Sequence, residues 1–132
     1  LSYPNTPHHG PYATDEPTSM PGGQNTGPNP MDLVLGALTT CQDISYKAYA
    51  TALGVDVQRG ETACEGDLDL RGFLGVDEAV RKGFQVIRGT VTLTTNADEA
   101  TISKLKGAVD AHCPMCATIS DKIPVSLTVV KA

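Results

Sequence analysis

Residues 29–54 read NPMDLVLGALTTCQDISYKAYATALG, and this stretch decides the architecture. Asn29 followed by Pro30 is an N-cap ahead of a proline at the first helical position, where its missing N–H costs nothing. Asp32 places a negative charge in the first turn, where the helix dipole favours it. Leu33, Val34, Leu35, Ala37, Leu38, Cys41, Ile44, Ala48, Ala52 and Leu53 carry the apolar pattern on, and Gly54 closes it as a C′ residue. The pattern predicts a helix of about 24 residues, roughly 36 Å long. From Met31 to Leu38 it is apolar nearly all round apart from Asp32, which predicts burial. Gln42, Asp43, Lys47 and Tyr49 make the second half amphipathic.

Upstream the chain changes character. Pro4, Pro7, Pro11, Pro17, Pro21, Pro28 and Pro30 are seven of its 9 prolines, and Gly10, Gly22, Gly23 and Gly27 join them. This punctuation excludes a helix and predicts an extended arm over residues 1–30, with one short strand near Tyr12 to Thr14. The domain proper is expected over residues 31–132. The chain opens at Leu1 rather than Met, which leaves room for residues upstream.

Downstream, Val55, Val57 and the stretch to Ala63 alternate, as do Asp67 to Leu70, and both predict strands. Gly72-Phe73-Leu74-Gly75 reads as a loop, and Asp77 to Lys82 as a helical turn or two. Phe84 to Thr95 (FQVIRGTVTLTT) is the strongest strand signal, with Gly89 read as a bulge. Asn96 and Glu99 form a capping pair for a second helix whose apolar face is Ile102, Leu105, Ala108 and Val109. Cys113-Pro114 ends it, a short third helix runs to about Ser120, and Val125 to Val130 (VSLTVV) is a last strand. The order predicts an α+β domain with an antiparallel sheet packed on two main helices.

At 132 residues the chain fits one domain, and 40% hydrophobic content suits a packed core. Fifteen acids against 10 bases give a net charge of -5, which argues against nucleic acid and against an anionic membrane surface as partners. No apolar run reaches the ~18 residues of a membrane span, and no basic-then-apolar signal opens the chain. The expected compartment is the cytoplasm. There the four cysteines are thiols, redox centres or ligands rather than a static disulfide frame.

Taken alone, Cys41 in a buried helix is a small hydrophobe. His112-Cys113-Pro114-Met115-Cys116 is more informative. Pro114 at a helix start puts Cys113 at the N-cap, where unpaired N–H groups favour a thiolate. Cys116 lies three residues on, over the same face. The C-x-x-C spacing suits a redox pair and is also half of a zinc or copper site, which would need Cys64 or a distant His to complete it. His112 precedes the first cysteine rather than following the second, against a haem attachment. No metal or cofactor is expected. Cys64 reads as filler in a strand, His8 and His9 as solvated, and the acidic stretch from Asp67 to Glu78 as a solvated surface.

Several of these segments together resemble one family. Asp15-Glu16-Pro17, then Gly22-Gly23-Gln24-Asn25-Thr26-Gly27-Pro28-Asn29-Pro30 and the helix with Cys41, are similar to the OsmC/Ohr family, osmotically inducible protein C and organic hydroperoxide resistance protein. Gly66 to Gly75, Gly83 to Arg88, His112-Cys113-Pro114 and Ile123-Pro124-Val125 match an OsmC-like branch. The resemblance implies an intertwined homodimer with paired sites at its interface. It implies Cys41 as the peroxidatic thiol and Cys113 as the resolving one. A small hydroperoxide would then be the substrate and an external dithiol the reductant.

Two departures stand out. The family's peroxidases carry a Glu ten residues before the reactive cysteine, and here that position is Met31, with Asp32 beside it. They also use an N-terminal Arg, and no Arg precedes Arg59 in this chain. Arg71 and Arg88 are the candidates to compensate. Cys116, His112 and Asp32 are the candidate accessory residues, with Cys116 a nearer disulfide partner for Cys113. Three functions follow: a thiol peroxidase using Cys41 and Cys113, a non-catalytic small-ligand-binding dimer, and a redox or metal sensor built on Cys113 and Cys116.

Overall fold

A computed structural model describes residues 13–121, 123–127 and 129. Its elements run α1 (Pro30–Leu53), β1 (Val57–Leu68), α2 (Leu70–Phe73), β2 (Phe84–Thr95), α3 (Glu99–His112) and α4 (Pro114–Ser120). β1 and β2 form a two-stranded sheet. They run antiparallel, since Gly60 lies beside Leu93, Cys64 beside Gly89 and Gly66 beside Phe84. A side chain on Gly89 would place its Cβ 2.7 Å from Cys64 Sγ, so this residue lets the facing cysteine pack. Half-buried residues alternate with exposed ones from Thr62 to Leu68 and from Val91 to Thr95, the signature of a sheet covered on one face.

α1 starts and stops where its signals stand. Asn29 Oδ1 accepts the N–H groups of Met31 and Asp32, and Asp32 Oδ2 accepts the Asn29 N–H at 3.2 Å. Gly54 ends the helix at φ 66°, a conformation that disfavours any side chain. Burial follows one stripe, Leu38, Gln42, Tyr46 and Ala50. The burial expected from Met31 to Leu38 is met only at Leu38; Leu33, Val34 and Leu35 are half-buried, and Ile44 is 64% exposed.

The chain forms two compact units. One combines residues 13–39 with Thr62–Thr90. Within it, residues 13–29 make a tight loop gathered by Asp15. Its carboxylate accepts the N–H groups of Glu16, Gln24 and Thr26 and the Thr26 hydroxyl at 2.7 Å. These bonds, the Thr26 hydroxyl first, overcome burial and hold the Asp15 carboxyl down at about 2. Thr14 makes a single β-bridge, and Tyr12 lies outside the described residues. In this unit Arg88 on β2 pairs with Glu65 and Asp67 across the strands.

The other unit combines Thr40–Glu61 with the described residues from Val91 onward. Its core joins Tyr46 and Ala50 of α1 to Leu105 and Val109 of α3 and to Cys113, with Val57, Val91 and Leu93 from the strands packed against them. The two α3 residues are 0% exposed.

Four expectations need correction, the first being Asp77 to Lys82, which form turns and bends rather than helix. The residues Gly72 and Phe73, read as loop, belong to α2, a single turn capped by Asp69, whose side chain accepts the Arg71 N–H at 3.0 Å. The α3 N-cap is Asp98 rather than Asn96. Asp98 holds extended backbone angles, and its carboxylate accepts the Thr101 N–H at 2.8 Å. It both caps the helix and complements its dipole. Residues 123–127 and 129 form no strand, although their apolar alternation suits one. A strand needs a neighbouring edge, and none among the described residues pairs with them. Val125 and Leu127 are accordingly 75% and 88% exposed. Thr128 and Val130 lie outside the described residues. No helix among those described is long and apolar enough to cross a membrane.

Candidate active site

α1 carries Cys41 and Gln42 side by side, and successive helical residues point about 100° apart. Each meets one member of the Cys113/Cys116 pair. The turn that carries that pair is shaped by proline. Pro114 disfavours helical angles in the residue before it. Cys113 therefore takes φ -67°, ψ 113° and becomes at once the C-cap of α3 and the N-cap of α4. Its N–H still donates to the Val109 carbonyl at 2.9 Å, and its carbonyl accepts the Ala117 N–H at 3.2 Å. The side chain is driven into the core, 2% exposed beside Leu105 and Val109.

There Cys113 Sγ lies 3.5 Å from Cys41 Sγ, a thiol–thiol hydrogen bond across 72 residues of chain. Gln42 Nε2 donates to Cys116 Sγ at 3.0 Å. Cys41 and Cys116 are half-buried. Three thiols and one amide thus form a continuous cluster between α1 and the α3–α4 turn.

The thiols of the C-x-x-C pair are electrostatically unequal. Burial pushes Cys113 up, but the N–H of Cys116, the thiols of Cys41 and Cys116 and the N–H of Met115 outweigh it, so its pKa falls below the ordinary thiol value. Burial pushes Cys116 up to about 11, reinforced by its hydrogen bond to Cys113 and by that neighbour's charge. Gln42 pulls it down, and Asp110 pushes it further up. Of the pair, Cys113 gives up its proton more readily than Cys116.

The other sequence candidates lie elsewhere. His112 Nδ1 is 2.8 Å from the Ala108 carbonyl, and its ring stacks on Tyr49 at 5.5 Å between centroids. Among the described residues it bonds no thiol. Asp32, about two and a half turns before Cys41 on α1, is committed to the Asn29 cap. Arg71 is held by Asp69 and Asp77, and Arg88 by Glu65 and Asp67, so each guanidinium already has two carboxylates. Cys64 sits on β1 in the other unit. No group of three or more His, Cys, Asp or Glu among the described residues is placed to hold a metal ion.

Sequence reasoning missed Gln42. It read as one polar residue on an amphipathic helix, yet it is 8% exposed. Its signal was spacing, four residues from both Leu38 and Tyr46 on the buried stripe.

The fold is α+β, with a mid-helix cysteine 3.5 Å from a cysteine that precedes proline. The family model for the OsmC-like protein matches residues 23–128. The chain belongs to that family. No curated protein gives a significant match. Among solved structures, an OsmC-like protein from Mycoplasma pneumoniae shares the fold at TM-score 0.68 and 18% identity, covering 88% of this chain and 79% of that one. An organic hydroperoxide resistance protein OsmC from Legionella pneumophila shares it at TM-score 0.62 and 16% identity, covering 83% and 73%.

Proposed function

We propose that this chain is a thiol-dependent peroxidase of peroxide defence that reduces small hydroperoxides through Cys41 and Cys113. Family membership and the hydroperoxide resistance ascribed to the Legionella neighbour support the defence role. The observation that carries the mechanism is the 3.5 Å separation of the two sulfurs. A disulfide needs about 2.05 Å, so closure demands only a small shift.

The half-buried Cys41 meets the peroxide more readily than Cys113, which is 2% exposed. Cys41 thiolate attacks the O–O bond, takes one oxygen as sulfenic acid and releases an alkoxide, which picks up a proton as alcohol. Resolution then requires a thiolate beside the sulfenic sulfur. Cys113, with its lowered pKa, supplies it and expels the oxygen as water. An external dithiol reduces the resulting disulfide in the cytoplasm.

Apolar residues exposed in the single chain support the homodimer: Ile44 at 64%, Val125 at 75% and Leu127 at 88%. A second copy would cover them.

The test is substitution. Cys41→Ser abolishes turnover of cumene hydroperoxide, and Cys113→Ser permits one round of Cys41 oxidation without recycling. Full turnover by Cys41→Ser would end this reading.

A second reading rests on a different place. A cavity of about 330 Å³ in the first unit is lined by Met20, Met31, Leu35 and Phe84 together with the carboxylates of Glu16 and Asp32. It suits a small ligand with an apolar body and a polar or cationic end, held without catalysis. Ligand binding with no Cys41 oxidation would favour it.

A further inference from the structure

We propose that Cys116 is a second resolving thiol, which takes the oxidised state from the Cys41–Cys113 disulfide and holds it as a Cys113–Cys116 disulfide. The inference rests on the peroxidase reading and extends it to a residue that the two-thiol cycle leaves idle.

The cluster geometry carries it. Cys113 sits between two sulfurs. Cys41 reaches it from α1 at 3.5 Å, and Cys116 stands three residues on, in the first turn of the helix that Cys113 caps. The C-x-x-C spacing is one that closes into a disulfide within a single turn. Cys116 is also held in place, since the buried Gln42 amide reaches its sulfur at 3.0 Å. That amide is next to Cys41 in sequence, so one helix turn fixes both ends of the exchange.

The exchange balances. Cys116 loses its proton and attacks Cys113 Sγ. The Cys113–Cys116 bond forms as the Cys41–Cys113 bond breaks, and Cys41 leaves with the electron pair as thiolate. No outside oxidant is needed, because the first disulfide supplies the oxidising equivalent. The external dithiol then attacks the exchanged bond at Cys116, the more exposed of its two sulfurs.

The electrostatics set the order. In the reduced cluster the charge and hydrogen bond of Cys113 help keep Cys116 protonated. Once Cys113 is tied to Cys41, that charge is gone while the Gln42 donor remains. Cys116 therefore loses its proton more easily once its target has formed, while burial continues to hold it up. The exchange frees Cys41 for another peroxide before any reductant arrives.

The test is peroxide titration of the fully reduced, full-length chain without reductant, followed by mass mapping and sulfenic-acid trapping with dimedone. The wild type should consume about two equivalents of cumene hydroperoxide, ending with a Cys113–Cys116 disulfide and a trapped sulfenic acid at Cys41, against about one for Cys116→Ser. Cys116→Ser should stop at the Cys41–Cys113 bond, and Cys116→Ala serves if the serine variant folds poorly. A wild type that also stops there after one equivalent overturns the relay and leaves the peroxidase intact. A Cys41→Ser variant that forms the Cys113–Cys116 bond as fast as the wild type overturns both, because oxidation would then begin elsewhere.

Discussion

Gln42 shows how much one buried amide can decide. Its Nε2 bond is the contact that anchors Cys116 to α1. Gln42→Leu keeps the volume close and removes the donor. A hydrogen bond worth about 1 kcal/mol implies a roughly fivefold slower appearance of the Cys113–Cys116 disulfide in rapid-quench mapping. An unchanged rate would show that the amide does not support the thiolate. Asp15 supports a prediction about acid stability. Its carboxyl sits at about 2 when folded, below the ordinary value near ~3.9 when unfolded. Its stabilisation is therefore complete above about pH 4 and fades as the pH falls toward 2. Melting curves of the wild type and Asp15→Asn should differ at pH 6 and converge at low pH. Among the thiols, Cys113 was legible because Pro114 fixes its backbone, and the pairing with Cys41 came from the family resemblance. Gln42 was not legible as a site residue, because a polar side chain on a helix reads as solvated until a partner is known. His112 and Asp32 are the opposite case. Each is next to an important residue in sequence, and each spends its hydrogen bonds on local backbone.

The helices and strands were legible where a local signal acts alone. Asn29, Pro30 and Gly54 bound α1 through backbone groups within a turn, and proline and glycine tolerate little else there. α3 was found through Leu105 and Val109, but its start was misplaced from Asp98 to Asn96, since both residues cap well. Asp98→Ala should lower the melting temperature, and Asn96→Ala should leave it unchanged. The reverse ranking would restore the capping pair read from sequence. Leu105 is 0% exposed where α3 meets α1. Truncating it to alanine should destabilise the chain by about 2–5 kcal/mol in denaturant unfolding. The final strand failed for a different reason. Alternation at Ile123, Val125 and Leu127 describes a surface that wants a partner, and strand pairing is a property of two segments. One chain offers those residues no edge among the described residues.

The apolar surface left on the single chain matters for the assembled protein. A sedimentation experiment should give a mass twice 13.8 kDa, and Ile44→Glu, at a position 64% exposed, should shift it toward the monomer. A monomeric wild type would show that these residues face solvent rather than a second copy. The chemistry depends on something smaller, the approach of Cys41 and Cys113 across 72 residues. The most direct measurement mixes reduced protein with cumene hydroperoxide in a rapid-quench instrument and maps disulfides from the first milliseconds onward. The first bond to form should join Cys41 to Cys113, and Cys41→Ser should form none. A Cys113–Cys116 bond appearing first, or forming at full rate without Cys41, would contradict this order.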